Sequence, residues 1–182
     1  MTVAKIGPRL QGLSHLALVS GNMARTVDFY QGVLGMPLVK TMEVPGGGQH
    51  FFFDIGNNDL LAFFWWDDAR PAAPGIAAPD GVYDRSAIGS MHHVAFQVES
   101  RDLDQCRQLL TENGIKYVFM SHDTDGGWGR SPSDVNDKTF AETIYFRDPD
   151  GIVLEFCAWL PPISELANDM APEGYASAAA GR

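Results

Sequence analysis

Residues 91–98 read MHHVAFQV, and residues 13–20 read LSHLALVS. Laid together, Ser14-His15-Leu16-Ala17 falls on His92-His93-Val94-Ala95. Self-similarity at a fixed spacing means that one supersecondary unit is used more than once. Both stretches read as strands, whose successive side chains point to opposite faces. Only one of the adjacent His92 and His93 can therefore face the interior. The alignment selects His93, the match of His15; His92 matches Ser14 and faces away.

The repeat continues outward from these strands. NMARTVDFYQGVLGM (22–36) spaces Met23, Val27, Phe29, Tyr30, Val33 and Leu34 as one face of a helix, with Gly35 as the stop. DLDQCRQLLTENGI (102–115) does the same with Leu103, Cys106, Leu109 and Leu110, and stops at Gly114. Three strand-like runs follow each helix: PLVKTMEV, QHFFFDIG and DLLAFFWW in the first half, KYVFMSH, AETIYF and GIVLEFCAW in the second. The order strand, helix, three strands occurs twice. We expect an α+β protein with two tandem βαβββ modules, residues 12–66 and 91–160. They would form one curved, cup-shaped mixed sheet with the helices outside. Residues 67–90, rich in Ala, Pro, Gly and Asp, read as a linker, and 161–182 as a peripheral tail. DTDGGWGRSPSDVNDKT (123–139) is long for a hairpin loop, and such loops tend to be functional or disordered.

Composition narrows the class. The chain has 182 residues, 45% hydrophobic and 20% charged, enough for one good core. Its formal net charge of −10, with no cluster of Lys and Arg, argues against nucleic acid and anionic membrane as partners. No apolar run approaches the ~20 residues of a membrane-spanning helix. MTVAKIGPRL lacks the apolar middle of a signal peptide. Cys106 and Cys157 read as two reduced, buried thiols. These features together indicate a cytoplasmic protein.

The last strands carry the chemistry. DIGNNDLLAF (54–63) lies on DPDGIVLEF (148–156) with Ala62 matched to Glu155. In GIVLEFCAW, Val153, Glu155 and Cys157 share one face. A carboxylate among Ile, Val, Leu, Phe and Trp is costly to bury without a partner. If first and last strands converge on a shared concavity, His15, His93 and Glu155 make a set of two imidazoles and one carboxylate. Such a set holds a divalent metal and leaves coordination positions open.

HLALVSGNMARTVDFYQGVLGM, HHVAFQV and YFRDPDGIVLEF, within the double repeat, resemble the vicinal oxygen chelate superfamily over roughly residues 12–160. That superfamily includes glyoxalase I, type I extradiol dioxygenases, epimerases, fosfomycin-resistance transferases and bleomycin-binding proteins. The resemblance is nearest to the extradiol pattern, which implies His15, His93 and Glu155 as ligands, most simply of Fe(II), with Mn, Zn, Ni or Co as alternatives. Ala62 stands where glyoxalase I has a fourth ligand. Tyr145, ten residues before Glu155, resembles the catalytic tyrosine of extradiol enzymes, and Gly129-Arg130 with Asn136-Asp137 faintly resembles the loop before it. Asp59 occupies the place of their catalytic histidine, so His50 or His122 is left to supply its proton function, although both read as surface residues. Familiar type I enzymes also carry two such domains where this chain has one.

The implied function is an Fe(II) dioxygenase that takes dioxygen and a catecholic or other vicinal-oxygen small molecule. Tyr145, Asp59 and His122 are the candidate catalytic residues. Phe51, Phe53, Phe63, Trp65 and Trp128 are the candidates to pack a substrate ring, Trp128 from a loop that could close over it. A glyoxalase-like isomerase, epimerase or lyase using another divalent metal, or a binding protein without chemistry, are the alternatives. The resemblance further implies a homodimer.

Overall fold

The computed structural model describes residues 12–71 and 89–166. Most of the expected linker (72–88) and of the expected tail (167–182) lies outside the described residues. The chain divides into two compact units, one of Met1–His92 with Arg147–Ile152, the other of His93–Phe146 with Val153–Arg182. The α+β class holds. Among the described residues the strands form two separately hydrogen-bonded sheets, one per repeat, where the repeat reading expected one.

The first unit runs β1 (His15–Val19), α1 (Met23–Val27), β2 (Leu38–Val44), β3 (Gly48–Asp54) and β4 (Leu60–Trp65). Its sheet has the order β1-β4-β3-β2, with β1 parallel to β4 and the other pairs antiparallel. Asn22 caps α1 by accepting the Arg25 N–H at 3.0 Å. The helix then departs from the expected single run: residues Asp28–Val33 form a π-helical turn, and the Leu34 N–H reaches the Phe29 carbonyl at 2.9 Å. Val27, Phe29, Gly32 and Val33 give this segment weak α propensity. The wider turn buries both of the adjacent rings Phe29 and Tyr30. Tyr30 packs on Phe63 and Phe53, with centroids at 4.8 and 5.7 Å.

The turn Arg147–Ile152 belongs to this first unit although its flanking strands belong to the second. Buried Asp148 accepts the Tyr30 hydroxyl at 3.1 Å and the N–H groups of Asp150 and Ile152. Asp150 accepts the Gly21 N–H at 2.9 Å and pairs with Arg25. Burial, the largest influence, pushes the Asp148 carboxyl up to about 6, with the negative charge of Asp150 adding to it and its hydrogen bonds opposing.

The second unit runs β5 (Val94–Gln97), α2 (Leu103–Glu112), β6 (Tyr117–Asp123), β7 (Trp128–Gly129), β8 (Thr139–Arg147) and β9 (Val153–Trp159). Its sheet order is β5-β9-β8-β6-β7, with β5 parallel to β9. Phe96, Phe119, Ile144, Phe146, Leu154 and Phe156 are buried, as are Leu103 and Leu110 of α2. Cys157 is buried as expected, whereas Cys106 is only half-buried. The long loop is built rather than loose. It contributes β7, and Asp134 accepts the N–H groups of Arg130 and Ser131 at 2.8 and 2.9 Å. Asp123 accepts the Asn136 amide and the Thr139 hydroxyl at 3.1 and 2.7 Å.

The register supports the internal alignment directly. Ala17 pairs with Ala62 in the first unit, and Ala95 pairs with Glu155 in the second. His15 and His93 each stand two residues before those alanines. No helix among the described residues is long and apolar enough to cross a membrane.

Candidate active site

In the second unit β9 carries Glu155 into the interior, where it is 4% exposed. The segment entering β5 brings His93 to it, with Nε2 2.8 Å from the carboxylate Oε2. Tyr145 on β8 sets its ring edge-on to His93, with centroids 5.5 Å apart. Burial raises the Tyr145 phenol well above its ordinary range, and the charge of Glu155 raises it further. The phenol therefore remains a proton donor at neutral pH. Burial, and then the Glu155 charge, also push the Cys157 thiol up to about 12, which keeps it a neutral thiol. His92 is half-buried just before β5.

His122 ends up half-buried near this pair and not on the surface. Burial, the largest influence, holds its imidazole below the ordinary histidine range. Glu155 and Asp123 oppose that shift, and His93 adds to it. The register sets His122 opposite Ala141 on β8 and Trp128 on β7. A shift in register between His122 and Asp123 interrupts the β6–β8 ladder. Bulges of this kind redirect side chains, and Phe140 here lies 6.2 Å from His122 and stacks with Trp159 at 6.0 Å and 18°. Trp128 is 51% exposed, with the Arg130 guanidinium 5.1 Å from its ring.

In the first unit His15 is exposed on β1, its Nδ1 3.3 Å from the Ser14 hydroxyl. Phe52 lies edge-on to it at 5.7 Å, and His50 at 6.4 Å. Phe52 stands ten residues before Ala62, as Tyr145 stands ten before Glu155. His50 is buried, contrary to the surface position expected for it, because Phe52 and Phe64 enclose its ring. Asp59 serves a turn: its carboxylate accepts the Leu13 N–H at 2.9 Å, and its own N–H bonds the Gly56 carbonyl at 2.9 Å.

The aromatic residues of β3 and β4 divide between the two faces of the first sheet. Phe53 and Phe63 are fully buried against Tyr30, and the register places Phe51 and Trp65 on their face, opposite His15. The rings that share the His15 face are Phe52 and Phe64. The signal was present in the sequence. With Ala62 matched to Glu155, its neighbours at odd positions, Phe63 and Trp65, must take the other face. The same parity points to His50. Phe140 carried no such signal, because the bulge breaks the alternation.

Among the described residues no three His, Cys, Asp or Glu side chains gather as a metal cluster. His93 and Glu155 are brought together within the second unit, and His15 belongs to the first. The donors suit a divalent ion. A buried carboxylate paired with an imidazole offers one oxygen and one nitrogen ligand of the kind that Mn, Fe or Zn accept.

Two repeats of strand, helix and antiparallel strands, each closed by a parallel first–last strand pair, define a duplicated βαβββ architecture, extended in the second unit by the short strand β7. The chain belongs to the Glyoxalase/Bleomycin resistance protein/Dioxygenase superfamily, whose sequence model matches residues 12–156. Members are mostly metal-dependent enzymes and use divalent metals such as Mn, Zn, Fe and Mg. The chain is 30% identical over 148 residues to metallothiol transferase FosB of Shouchella clausii (strain KSM-K16), covering 80% of this chain and 79% of that protein. It is 25% identical over 166 residues to Glyoxylase I 4 of Arabidopsis thaliana, covering 89% and 79%. Its fold matches that of the fosfomycin resistance protein FosX of Listeria monocytogenes, solved with Mn(II) and sulfate, at TM-score 0.52 and 18% identity, covering 86% and 98%.

Proposed function

We propose that this chain is a metal-dependent enzyme that takes a small molecule through two adjacent oxygens, with His15, His93 and Glu155 as the metal ligands. The reaction we infer is ring cleavage of a catechol by an Fe(II) dioxygenase. The observation that carries the reading is the buried Glu155 carboxylate 2.8 Å from the half-buried His93 imidazole, with the Tyr145 ring beside it. The matching register of His15 with the Ala17–Ala62 pair supports His15 as the third ligand. A divalent ion held there would polarise both substrate oxygens and, as iron, activate dioxygen.

The protein's own residues then have distinct tasks. Glu155 fixes the orientation of His93 through their direct contact. Tyr145, kept protonated, donates to a substrate oxygen and can pass it a proton. His122, kept neutral by burial, is available as an acceptor. Trp128, Phe140 and Trp159 offer ring faces to an aromatic substrate. Asp59 is engaged with the Leu13 amide and contributes little. We further propose a cytoplasmic homodimer. The exposed Val39 and Met42 on the edge strand β2 support the dimer.

The similarity to proteins named metallothiol transferase and glyoxylase I favours a second reading, thiol transfer or isomerisation with another divalent metal. Oxygen consumption separates the two. Iron-reconstituted protein with a panel of catechols should consume one dioxygen per catechol and form a coloured ring-opened product. No uptake with any catechol, together with turnover of a thiol adduct by the Mn- or Zn-loaded protein, would overturn the dioxygenase reading.

A further inference from the structure

His50 is 6% exposed, yet among the described residues only one of its ring nitrogens has a hydrogen-bond partner. Nδ1 lies 3.1 Å from the Phe63 carbonyl. A carbonyl only accepts, so Nδ1 carries the hydrogen and Nε2 is left with its lone pair. No partner for Nε2 is found among the described residues. Buried polar atoms are normally paired, so an orphan of this kind calls for an explanation.

The surrounding residues hold this imidazole in one plane. Phe64 stacks on it at 3.6 Å and 4°, and Trp66 stacks on Phe64 at 5.0 Å and 6°. Phe52 closes a third side at 4.2 Å. Gly48 makes the stack possible, since a Cβ there would lie 2.4 Å from Trp66 Nε1. The face is that of His15, whose ring lies edge-on to His50 at 6.4 Å, with Phe52 against both rings. An imidazole with a fixed tautomer, a locked ring plane and an open acceptor beside a candidate ligand residue is built to receive a proton donor.

We propose that His50 Nε2 accepts the hydroxyl of the bound small molecule, so that the first unit recognises a substrate that still carries an O–H. As that oxygen becomes anionic, its proton passes to Nε2 and the oxygen keeps the electron pair. The proposal rests on the small-molecule reading above and supplies the proton acceptor that Asp59, tied into its turn, does not.

The test uses the full chain with Zn(II) and catechol as probe, read by nitrogen-15 NMR of the histidine rings and by metal analysis. His50 should show the Nδ1–H form in the free protein, and its Nε2 resonance should shift on adding catechol. His50→Phe, which keeps a ring in the stack, should weaken catechol binding about tenfold, and His50→Gln, which keeps an acceptor, should recover part of the loss. Zinc content should be unchanged in both variants. An Nε2–H tautomer, or catechol binding that leaves both the His50 resonance and the His50→Phe affinity unchanged, overturns the proposal. Zinc lost from His15→Ala or Glu155→Ala but kept by the His50 variants, with no His50 response to catechol, would refute this proposal alone and leave the metal reading standing. If wild type binds no zinc, the metal reading fails separately, and a catechol shift at His50 would still support the acceptor role.

Discussion

The two units share one scaffold and have filled it differently. Both pair a first and a last strand in parallel with the same register, Ala17 with Ala62 and Ala95 with Glu155. On the first unit's face the partners of that register are Phe52, Phe64 and His50, with His15 at the edge. On the second the residues at the matching offsets are Tyr145, Cys157 and Thr143, with His93 at the edge and His122 on the neighbouring strand β6. One face is an aromatic stack with a single fixed imidazole, and the other is a cluster of titratable groups around one buried carboxylate. Duplication supplies the frame, and single substitutions at equivalent positions decide where charge is tolerated. A carboxylate can persist at 155 because an imidazole meets it there, while the equivalent position 62 holds alanine at complete burial.

The comparison can be broken at its strongest point first. Tyr145 and Phe52 are equivalents, so Tyr145→Phe makes the second unit resemble the first. We expect turnover to fall by ~10²–10⁴-fold with metal content unchanged, measured as single-turnover rates of the iron-loaded protein. Asp59→Asn keeps an oxygen for the Leu13 amide and should change the rate by less than about tenfold. An inactive Asp59→Asn enzyme beside an active Tyr145→Phe enzyme would exchange their roles.

The next effect concerns stability. Tyr30→Phe removes the hydroxyl from buried Asp148 and should cost about 1–3 kcal/mol in urea unfolding. Asp148 also gives a pH signature. Its folded value, about 6, lies above its ordinary 3.8, so between those values the folded state binds more protons than the unfolded one. Stability from this group is therefore highest below pH 3.8, declines as pH rises to about 6, and is level above that. Asp148→Asn should flatten that slope, and an unchanged slope would assign it to other groups.

The smallest effect is expected at His92. His92→Ala should leave metal content as it is while His93→Ala loses it. The reverse outcome would shift the register of the second repeat by one residue.

Much of the fold could be read from the chain because duplication prints each signal twice. Gly35 and Gly114 stop equivalent helices, His15 opens β1, and His93 immediately precedes the equivalent β5. The π-helical turn after α1 was hidden, since the weak α propensity of Val27, Phe29, Gly32 and Val33 permits it but only the joint burial of Phe29 and Tyr30 accounts for it. The assignment of Arg147–Ile152 to the first unit was equally hidden. It depends on Tyr30 and Arg25, more than a hundred residues away in sequence. At the site, Glu155 stood out as a charge in an apolar strand, and the structure supplies its partner in His93. Parity along β3 and β4, counted from Ala62, puts Phe51, Phe53, Phe63 and Trp65 on the face turned away from His15. Phe140 could not be read at all, because its placement depends on a bulge.

The ligands proposed for the metal, His15, His93 and Glu155, imply one divalent ion per chain. The most direct test is elemental analysis of the protein purified without oxygen, for wild type and Glu155→Ala side by side, with circular dichroism to verify the fold. The account predicts one ion per chain in wild type and none in a folded Glu155→Ala protein. A wild-type protein that takes up no divalent ion, or a Glu155→Ala protein that keeps one per chain, would contradict it.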